Sequence, residues 1–148
     1  MMPRGKTESV GIKEQSMNEN KIKHLEFIQG IINRMASNSF MIKGWLVTLV
    51  AAMFILASKD SDCKYAYIAF VPTIAFWIVD GFYLWQERLF RHLWNEVRKK
   101  KEKDIDYSMD TSNHKAKDAW LKVIFSSTLC WFYFPLLAIM VAVLFIMK

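Results

Sequence analysis

Long apolar runs alternate with polar segments along the chain, and three of these runs are long enough to cross a membrane. They cover residues 40–58, 65–85 and 123–147, and the charged residues inside them are Lys43 and Asp80. A helix of about 20 apolar residues spans the hydrocarbon core of a bilayer. The pattern therefore predicts an all-α membrane protein with three transmembrane helices.

Residues 1–39, before the first run, divide into two segments. Residues 1–20 are polar and lack an apolar central stretch, so we expect a mobile segment there and no signal peptide. Residues 21–39 carry apolar side chains at steps of three and four, which predicts an amphipathic helix. This helix either lies on the lipid headgroups or packs against the second loop. The stretch 37–39 either bends or continues the helix into the first span.

Helical periodicity continues beyond the second span. Leu89, Leu93 and Val97 form one stripe, which predicts a helix that continues to about Lys103. A loop follows, and the cluster Asp110, Thr111 and Ser112 predicts the start of a third long helix that runs through Trp120 into the last span. Residues 86–122 are thus expected to form a basic, largely helical cytoplasmic loop. Together with 21–39 it gives the bundle long cytoplasmic helical extensions.

The distribution of positive charge predicts the orientation of these helices. The chain has 20 Lys and Arg against 14 Asp and Glu, a net charge of +6. Almost all Lys and Arg lie before the first span or between the second and third. Cytoplasmic loops of membrane proteins carry such an excess. We therefore expect a multi-pass protein with a cytoplasmic N-terminus, a periplasmic C-terminus and membrane lipids as partners.

The two charges inside the spans are expected to pair. Lys43 and Asp80 lie at similar depths from the same membrane face, so we predict contact within one chain or between chains. Such a pair either fixes helix register or gates a pore. Asp80, Tyr83, Glu87 and Arg91 follow at helical steps and predict a polar helix seam. Because this seam would be unstable against lipid, it predicts contact with protein and a symmetric homo-oligomer.

The basic run "RKKKEK" is the strongest electrostatic feature of the second loop. It is expected to attract anionic lipid or to bind a phosphate-bearing ligand, with His92 and Trp94 available to stack on bases. In a symmetric oligomer the run would repeat around an axis and could hold a short nucleic-acid strand. The candidate ligand-binding residues are Arg88, Arg91, Arg98, Lys99, Lys100, Lys101 and Lys103.

No catalytic or metal-binding motif accompanies these features. His24, His92 and His114 have no partner pattern, and Cys63 and Cys130 are expected at different depths, without a disulfide. We therefore predict no catalytic residue, metal site or cofactor, and a protein that is not an enzyme.

Two stretches, "NRMASNSFMIKGW" and "DGFYLWQERLFR", resemble a family of small bacterial inner-membrane proteins found in anti-phage defence systems. The similarity covers about residues 21–100, and among such proteins the membrane effectors of the Hailong system are the nearest functional match. The matching positions are Asn33, Arg34, Met35, Asn38, Ser39, Phe40, Lys43, Gly44 and Trp45, then Asp80, Gln86, Glu87, Arg88, Phe90 and Arg91.

The resemblance implies an oligomeric, channel-like effector of the bacterial inner membrane that disrupts membrane integrity or potential on infection. It further implies control by a single-stranded DNA oligomer that a partner nucleotidyltransferase makes, bound on the basic cytoplasmic face. A tetramer is the working hypothesis for the assembly. The alternative is a non-conducting membrane scaffold or accessory subunit whose basic loop binds lipid or a cytosolic partner.

Overall fold

The computed structural model describes residues 4–60, 67–115 and 119–147, with side chains over 19–58, 67–115 and 119–146. Within these ranges the fold is all-helical and contains no strand. The α-helices are α1, Arg4–Asp60; α2, Phe70–Lys99; α3, Trp120–Ile124; and α4, Ser127–Met147. Two 3-10 turns, Glu102–Asp104 and Ser112–His114, lie in the loop between α2 and α3. Cys63 and Lys117 lie outside the described residues.

Helix α1 is continuous from the polar N-terminal region into the first apolar run. Residues 37–39 were predicted either to bend or to continue the helix, and in the structure they continue it. No proline interrupts Arg4–Asp60. Residues 4–20, expected to be a mobile segment, belong to the same helix. The amphipathic segment 21–39 is therefore rigidly continuous with the residues that follow it.

Helix α2 ends at Lys99, somewhat earlier than the expected end near Lys103. The ammonium group of Lys21, on α1, donates hydrogen bonds to the carbonyl oxygens of Arg98 at 3.2 Å and Lys100 at 2.7 Å. A cation at a helix C-terminus satisfies free carbonyl groups and interacts favourably with the helix dipole. This contact attaches the end of α2 to α1.

The prediction of a long third helix that begins at residues 110–112 is wrong. The Asp110 carboxylate accepts hydrogen bonds from the backbone N–H of Ser112 at 2.8 Å and from its hydroxyl at 2.7 Å, which closes a local turn. The short helix α3 then ends at Ile124, and α4 begins at Ser127. The indole N–H of Trp77 donates to the Ile124 carbonyl at 3.1 Å and so attaches the end of α3 to α2.

Most of the buried apolar residues form two clusters, one at each end of the bundle. The first lies between α1, α2 and α4 and contains Leu46, Val50, Ala69, Leu129, Tyr133 and Met140. The second joins the amphipathic part of α1 to α2 and to the loop after it, and contains Ile28, Ile32, Leu93, Val97 and Ile105. The amphipathic stripe of α1 therefore packs on the second loop and α2, as one of the two alternatives predicted.

Among the described residues, two helices are long and apolar enough to cross a membrane: Glu19–Ser58 and Ser127–Ile146. They contain most of the predicted first and third spans, 40–58 and 123–147. Large apolar side chains on their outer faces are exposed, and Trp131 and Ile146 are more than 80% accessible. Helix α2, which carries most of the predicted second span, does not meet the same criterion of length and composition.

Candidate functional site

The carboxylate of Asp80 is completely buried where α1, α2 and α4 meet. Its Oδ2 lies 2.5 Å from the ammonium nitrogen of Lys43 on α1 and accepts a hydrogen bond from the hydroxyl of Tyr133 on α4 at 3.1 Å. Its Oδ1 accepts a hydrogen bond from the hydroxyl of Ser39 at 2.5 Å. One side chain of α2 thus contacts both neighbouring helices. We call these four residues the Asp80 network.

Lys43 is held on both sides. Its ammonium also donates to the Ser39 hydroxyl at 2.8 Å and lies 5.8 Å from the centroid of the Phe132 ring. Its side chain is 20% exposed, whereas that of Asp80 is inaccessible. A buried ion is tolerated when a counter-charge and further hydrogen bonds satisfy it, and Asp80 has both. The arrangement fixes the register of α1, α2 and α4 relative to one another.

The other residues of the predicted polar seam make some of their contacts with side chains of the same chain. Glu87 is nearly buried and accepts a hydrogen bond from the Nε of Arg91 at 2.7 Å, while Arg91 itself is exposed. Tyr83 is half-buried, and its ring makes an edge contact with Phe82. The seam therefore runs from a buried intramolecular contact at Asp80 to an exposed cation about two turns beyond Tyr83.

Of the seven candidate ligand-binding cations, three make close contacts within the chain. Arg91 contacts Glu87, Lys100 lies 2.7 Å from Glu96, and the guanidinium of Arg98 lies 5.0 Å from the centroid of the Trp94 ring. The hydrogen bond to Glu96 is the main reason why the pKa of Lys100 is raised, and nearby aspartates add to it. These side chains are already engaged by their own chain.

The other four cations have no carboxylate partner among the described residues. Lys99, Lys101 and Lys103 are exposed and Arg88 is half-buried. We call Lys99, Lys101 and Lys103 the loop cations. They surround the C-terminal end of α2, where the charge available for an anionic ligand is concentrated.

The two rings expected to stack on bases contact their own chain instead. The His92 ring stacks on His114 with centroids 6.0 Å apart, and Arg98 covers a face of Trp94. His114 is buried and its Nε2 lies 3.2 Å from a Glu96 carboxylate oxygen. These contacts attach the loop to α2 and occupy surfaces that a base would need.

Sequence reasoning missed Ser39 and Tyr133 as members of the network. Ser39 lies four residues before Lys43 on one helix, so helical spacing alone could have indicated it. Tyr133 is 53 positions from Asp80, and no local pattern connects them. His24 is also buried, and no sequence pattern indicated this.

The fold and site define an all-helical protein with two helices suited to a membrane and a buried charge pair between its helices. No family model, curated protein or solved structure matches the chain. Among the described residues, no group of three or more histidine, cysteine or acidic side chains is arranged to hold a metal ion.

Proposed function

We propose that this protein is an oligomeric, channel-like effector of the bacterial inner membrane that disrupts membrane integrity or potential in anti-phage defence. A short oligonucleotide bound on the basic cytoplasmic face controls its opening. The observation that carries the proposal is the Asp80 network, since it links three helices at a depth where an ion pair is unusual. The role in anti-phage defence and the control by an oligonucleotide are supported by the family resemblance.

Three membrane crossings follow if α2 accompanies α1 through the bilayer. Phe70, Phe76, Trp77 and Leu84 of α2 pack on the apolar cluster that also contains Leu46 and Val50 of α1. If residues 40–58 cross the membrane, α2 beside them lies at the same depth. The outward side chains of this part of α2 are apolar and exposed, as lipid contact requires: Val71, Ile74, Ile78, Val79 and Phe82.

A conducting path would lie between copies of the chain. The apolar cluster fills the space between α1, α2 and α4 with side chains, including the fully buried Tyr133 and Met140. Ala138 and Ala142 form a small-residue pair on α4, and both are exposed. Such pairs allow close helix contact in membranes, which supports a homo-oligomer.

Helix α2 offers a direct mechanical connection between ligand and network. Asp80 lies in its membrane half, and the loop cations follow its other end. A nucleic-acid strand bound to the loop cations of several copies of the chain would shift the ends of their α2 helices. This movement would displace Asp80, which lies on α2 and is the centre of the Asp80 network. We expect the Lys43–Asp80 pair to be made in the closed state and broken in the open state.

Ion flux from proteoliposomes tests the proposal. Asp80→Ala and Lys43→Met should each leak ions without ligand, because an unpaired charge disfavours the closed packing. Thr48→Val is the matched control, since Thr48 is exposed on the same span and its hydroxyl bonds only the Gly44 carbonyl among described residues. Unchanged flux, and unchanged membrane potential in cells, in both network variants would remove the gating role.

The alternative of a non-conducting scaffold is favoured by the pairing of Lys100 and Arg91 with glutamates of their own helix. Neutralising Lys99, Lys100, Lys101 and Lys103 distinguishes the two functions. An effector should lose ligand control of conductance, whereas a scaffold should lose recruitment of a cytosolic partner. A chain that shows no flux under any condition, but loses recruitment, would be a scaffold.

A further inference from the structure

A shallow pocket opens between the α1 segment near His24 and the loop that follows α2. His24 is its most deeply buried side chain, and the ring of Tyr107 meets it edge-on with centroids 5.4 Å apart. We call it the His24 pocket. Its lining residues are Asn20, Lys23, His24, Phe27, Tyr107 and Met109.

The Nε2 atom of His24 has no hydrogen-bond partner among the described residues, although the side chain is only 5% exposed. A buried polar atom without a partner is destabilising, and native proteins rarely leave one without a reason. Burial lowers the pKa of His24, and the Asp106 carboxylate opposes this only in part. The ring is therefore neutral near pH 7, and its Nε2 can donate or accept one hydrogen bond according to tautomer.

Large apolar and aromatic side chains surround this atom while remaining open to solvent. Phe27 is 67% exposed and Tyr107 is 42% exposed. Tyr107 also adopts a positive φ of 55°, a backbone conformation unusual for a tyrosine. Backbone strain of this kind often accompanies a functional role. The pocket thus combines exposed rings with an unused hydrogen-bonding atom.

Positive charge lies at the pocket and near it along the chain. Lys21, one turn before His24, contacts the carbonyl oxygens of Arg98 and Lys100, so this turn of α1 lies where the loop begins. Lys103 precedes Tyr107 by four residues, which separates them by at most about 14 Å. Lys23 lines the pocket itself and contacts Glu19 at 2.7 Å, whereas Lys101 and Lys103 are exposed and have no carboxylate partner among the described residues.

We propose that the His24 pocket binds a nucleobase, stacked on Phe27 or Tyr107 and hydrogen-bonded by His24 Nε2, with its phosphates on Lys101 and Lys103. The inference rests on the proposed function in that the ligand is a nucleic-acid component. It moves base recognition away from His92 and Trp94 to rings that are exposed. The same chemistry would accept a free nucleotide or one base of an oligonucleotide, and the test separates these sources.

Binding to the full-length protein in detergent tests the proposal. The probes are short single-stranded DNA, a strand of equal length made of abasic deoxyribose phosphates, and deoxynucleoside monophosphates. Stacking of one base contributes about 1–3 kcal/mol, so the base-bearing strand should bind about 5- to 150-fold tighter than the abasic strand. Phe27→Ala or Tyr107→Ala should abolish this difference, according to which ring stacks on the base. Lys101→Gln with Lys103→Gln should weaken both strands equally.

Ile22→Ala is the matched control, because Ile22 is exposed on α1 and does not line the pocket. Thermal unfolding of each variant checks that it is folded. Monophosphates that bind as tightly as strands, with the same loss in Phe27→Ala, would support the pocket and identify a free nucleotide as the source.

Three outcomes would overturn the proposal. Equal binding of abasic and base-bearing strands would remove the pocket and leave a phosphate-only surface, so the proposed function would survive. A base-dependent difference that persists in both Phe27→Ala and Tyr107→Ala would place the base elsewhere. Absence of binding by every base-bearing probe would remove the pocket and the nucleic-acid part of the proposed function together.

Discussion

Two buried polar side chains, Asp80 and His24, differ in whether their polar atoms have hydrogen-bond or ion partners. Asp80 has a cation and two hydroxyl donors around it, whereas one ring nitrogen of His24 has no partner among the described residues. A buried polar group whose hydrogen bonds are all made favours a single arrangement of its neighbours. A buried polar group that lacks a hydrogen bond is stabilised by any ligand or side chain that supplies one. Asp80 therefore stabilises the bundle, and the ring nitrogen of His24 is the atom that the proposed ligand would satisfy.

We predict that Lys43 and Asp80 are strongly coupled in stability. Removing one partner of a buried ion pair costs about 3–5 kcal/mol, while replacing both by apolar residues is often close to neutral. Asp80→Leu should therefore lower the unfolding temperature in detergent more than Lys43→Met with Asp80→Leu does. Additive losses in the double variant would show that the two side chains do not interact.

We predict that acid weakens the contact between the loop and α1 through His24. The pKa of His24 is lowered below its ordinary 6.5 by burial, so the unfolded chain binds more protons below that pH. Stability is thus complete above about pH 6.5 and declines as the pH falls towards the lowered pKa. After division by the intrinsic exchange rate at each pH, the protection of amides in residues 101–109 should fall over this window in the wild type. A similar fall in His24→Phe would exclude His24 as the cause.

The charge pair was predictable from sequence, helical spacing could have added Ser39, and Tyr133 was not predictable. Opposite charges at equal depth in two spans have few other partners, so Lys43 and Asp80 could be matched without coordinates. Tyr133 could not, because an apolar run gives no sign of which face meets α2. His24 also looks unremarkable in sequence, since its burial depends on Tyr107, 83 positions away.

At the scale of elements, Ile124 of α3 packs directly on Gly81 of α2. A Cβ atom on Gly81 would lie 2.6 Å from Cγ1 of Ile124, nearer than such atoms come. The hydrogen bond from Trp77 to the Ile124 carbonyl depends on the same approach. The break between α3 and α4 comes directly after this contact, and sequence periodicity could not predict it because both segments are apolar.

We predict that Gly81→Ala destabilises the bundle by about 1–3 kcal/mol through overpacking. Ile124→Ala in the same chain should recover part of this loss, because it removes the clashing atom. Gly30→Ala is the matched control: nothing lies within 4 Å of its added Cβ, so better helix propensity should make it neutral or stabilising. Thermal unfolding measures all three, and equal losses at Gly81 and Gly30 would contradict the packing argument.

At the scale of the whole molecule, the helices divide into a lipid-compatible end and a polar end with the Asp80 network between them. The first apolar cluster joins α1, α2 and α4, and the second joins α1, α2 and the loop. Because α1 and α2 contribute to both, a movement at the loop would be carried to the network by continuous helices. This continuity makes the control of a membrane event by a loop ligand physically reasonable.

We predict three membrane crossings. The locations of the 101–115 loop and of the C-terminus distinguish three crossings from two. If α1, α2 and α4 all cross, the N-terminus and the 101–115 loop lie in the cytoplasm and the C-terminus lies in the periplasm. If α2 does not cross, the loop moves to the periplasm and the C-terminus to the cytoplasm. Alkaline phosphatase and fluorescent-protein fusions after residues 109 and 148 read both positions independently. An active phosphatase at 109, with fluorescence at 148, would show that α2 does not span the membrane. The Asp80 network could then not act as a gate between membrane-spanning helices.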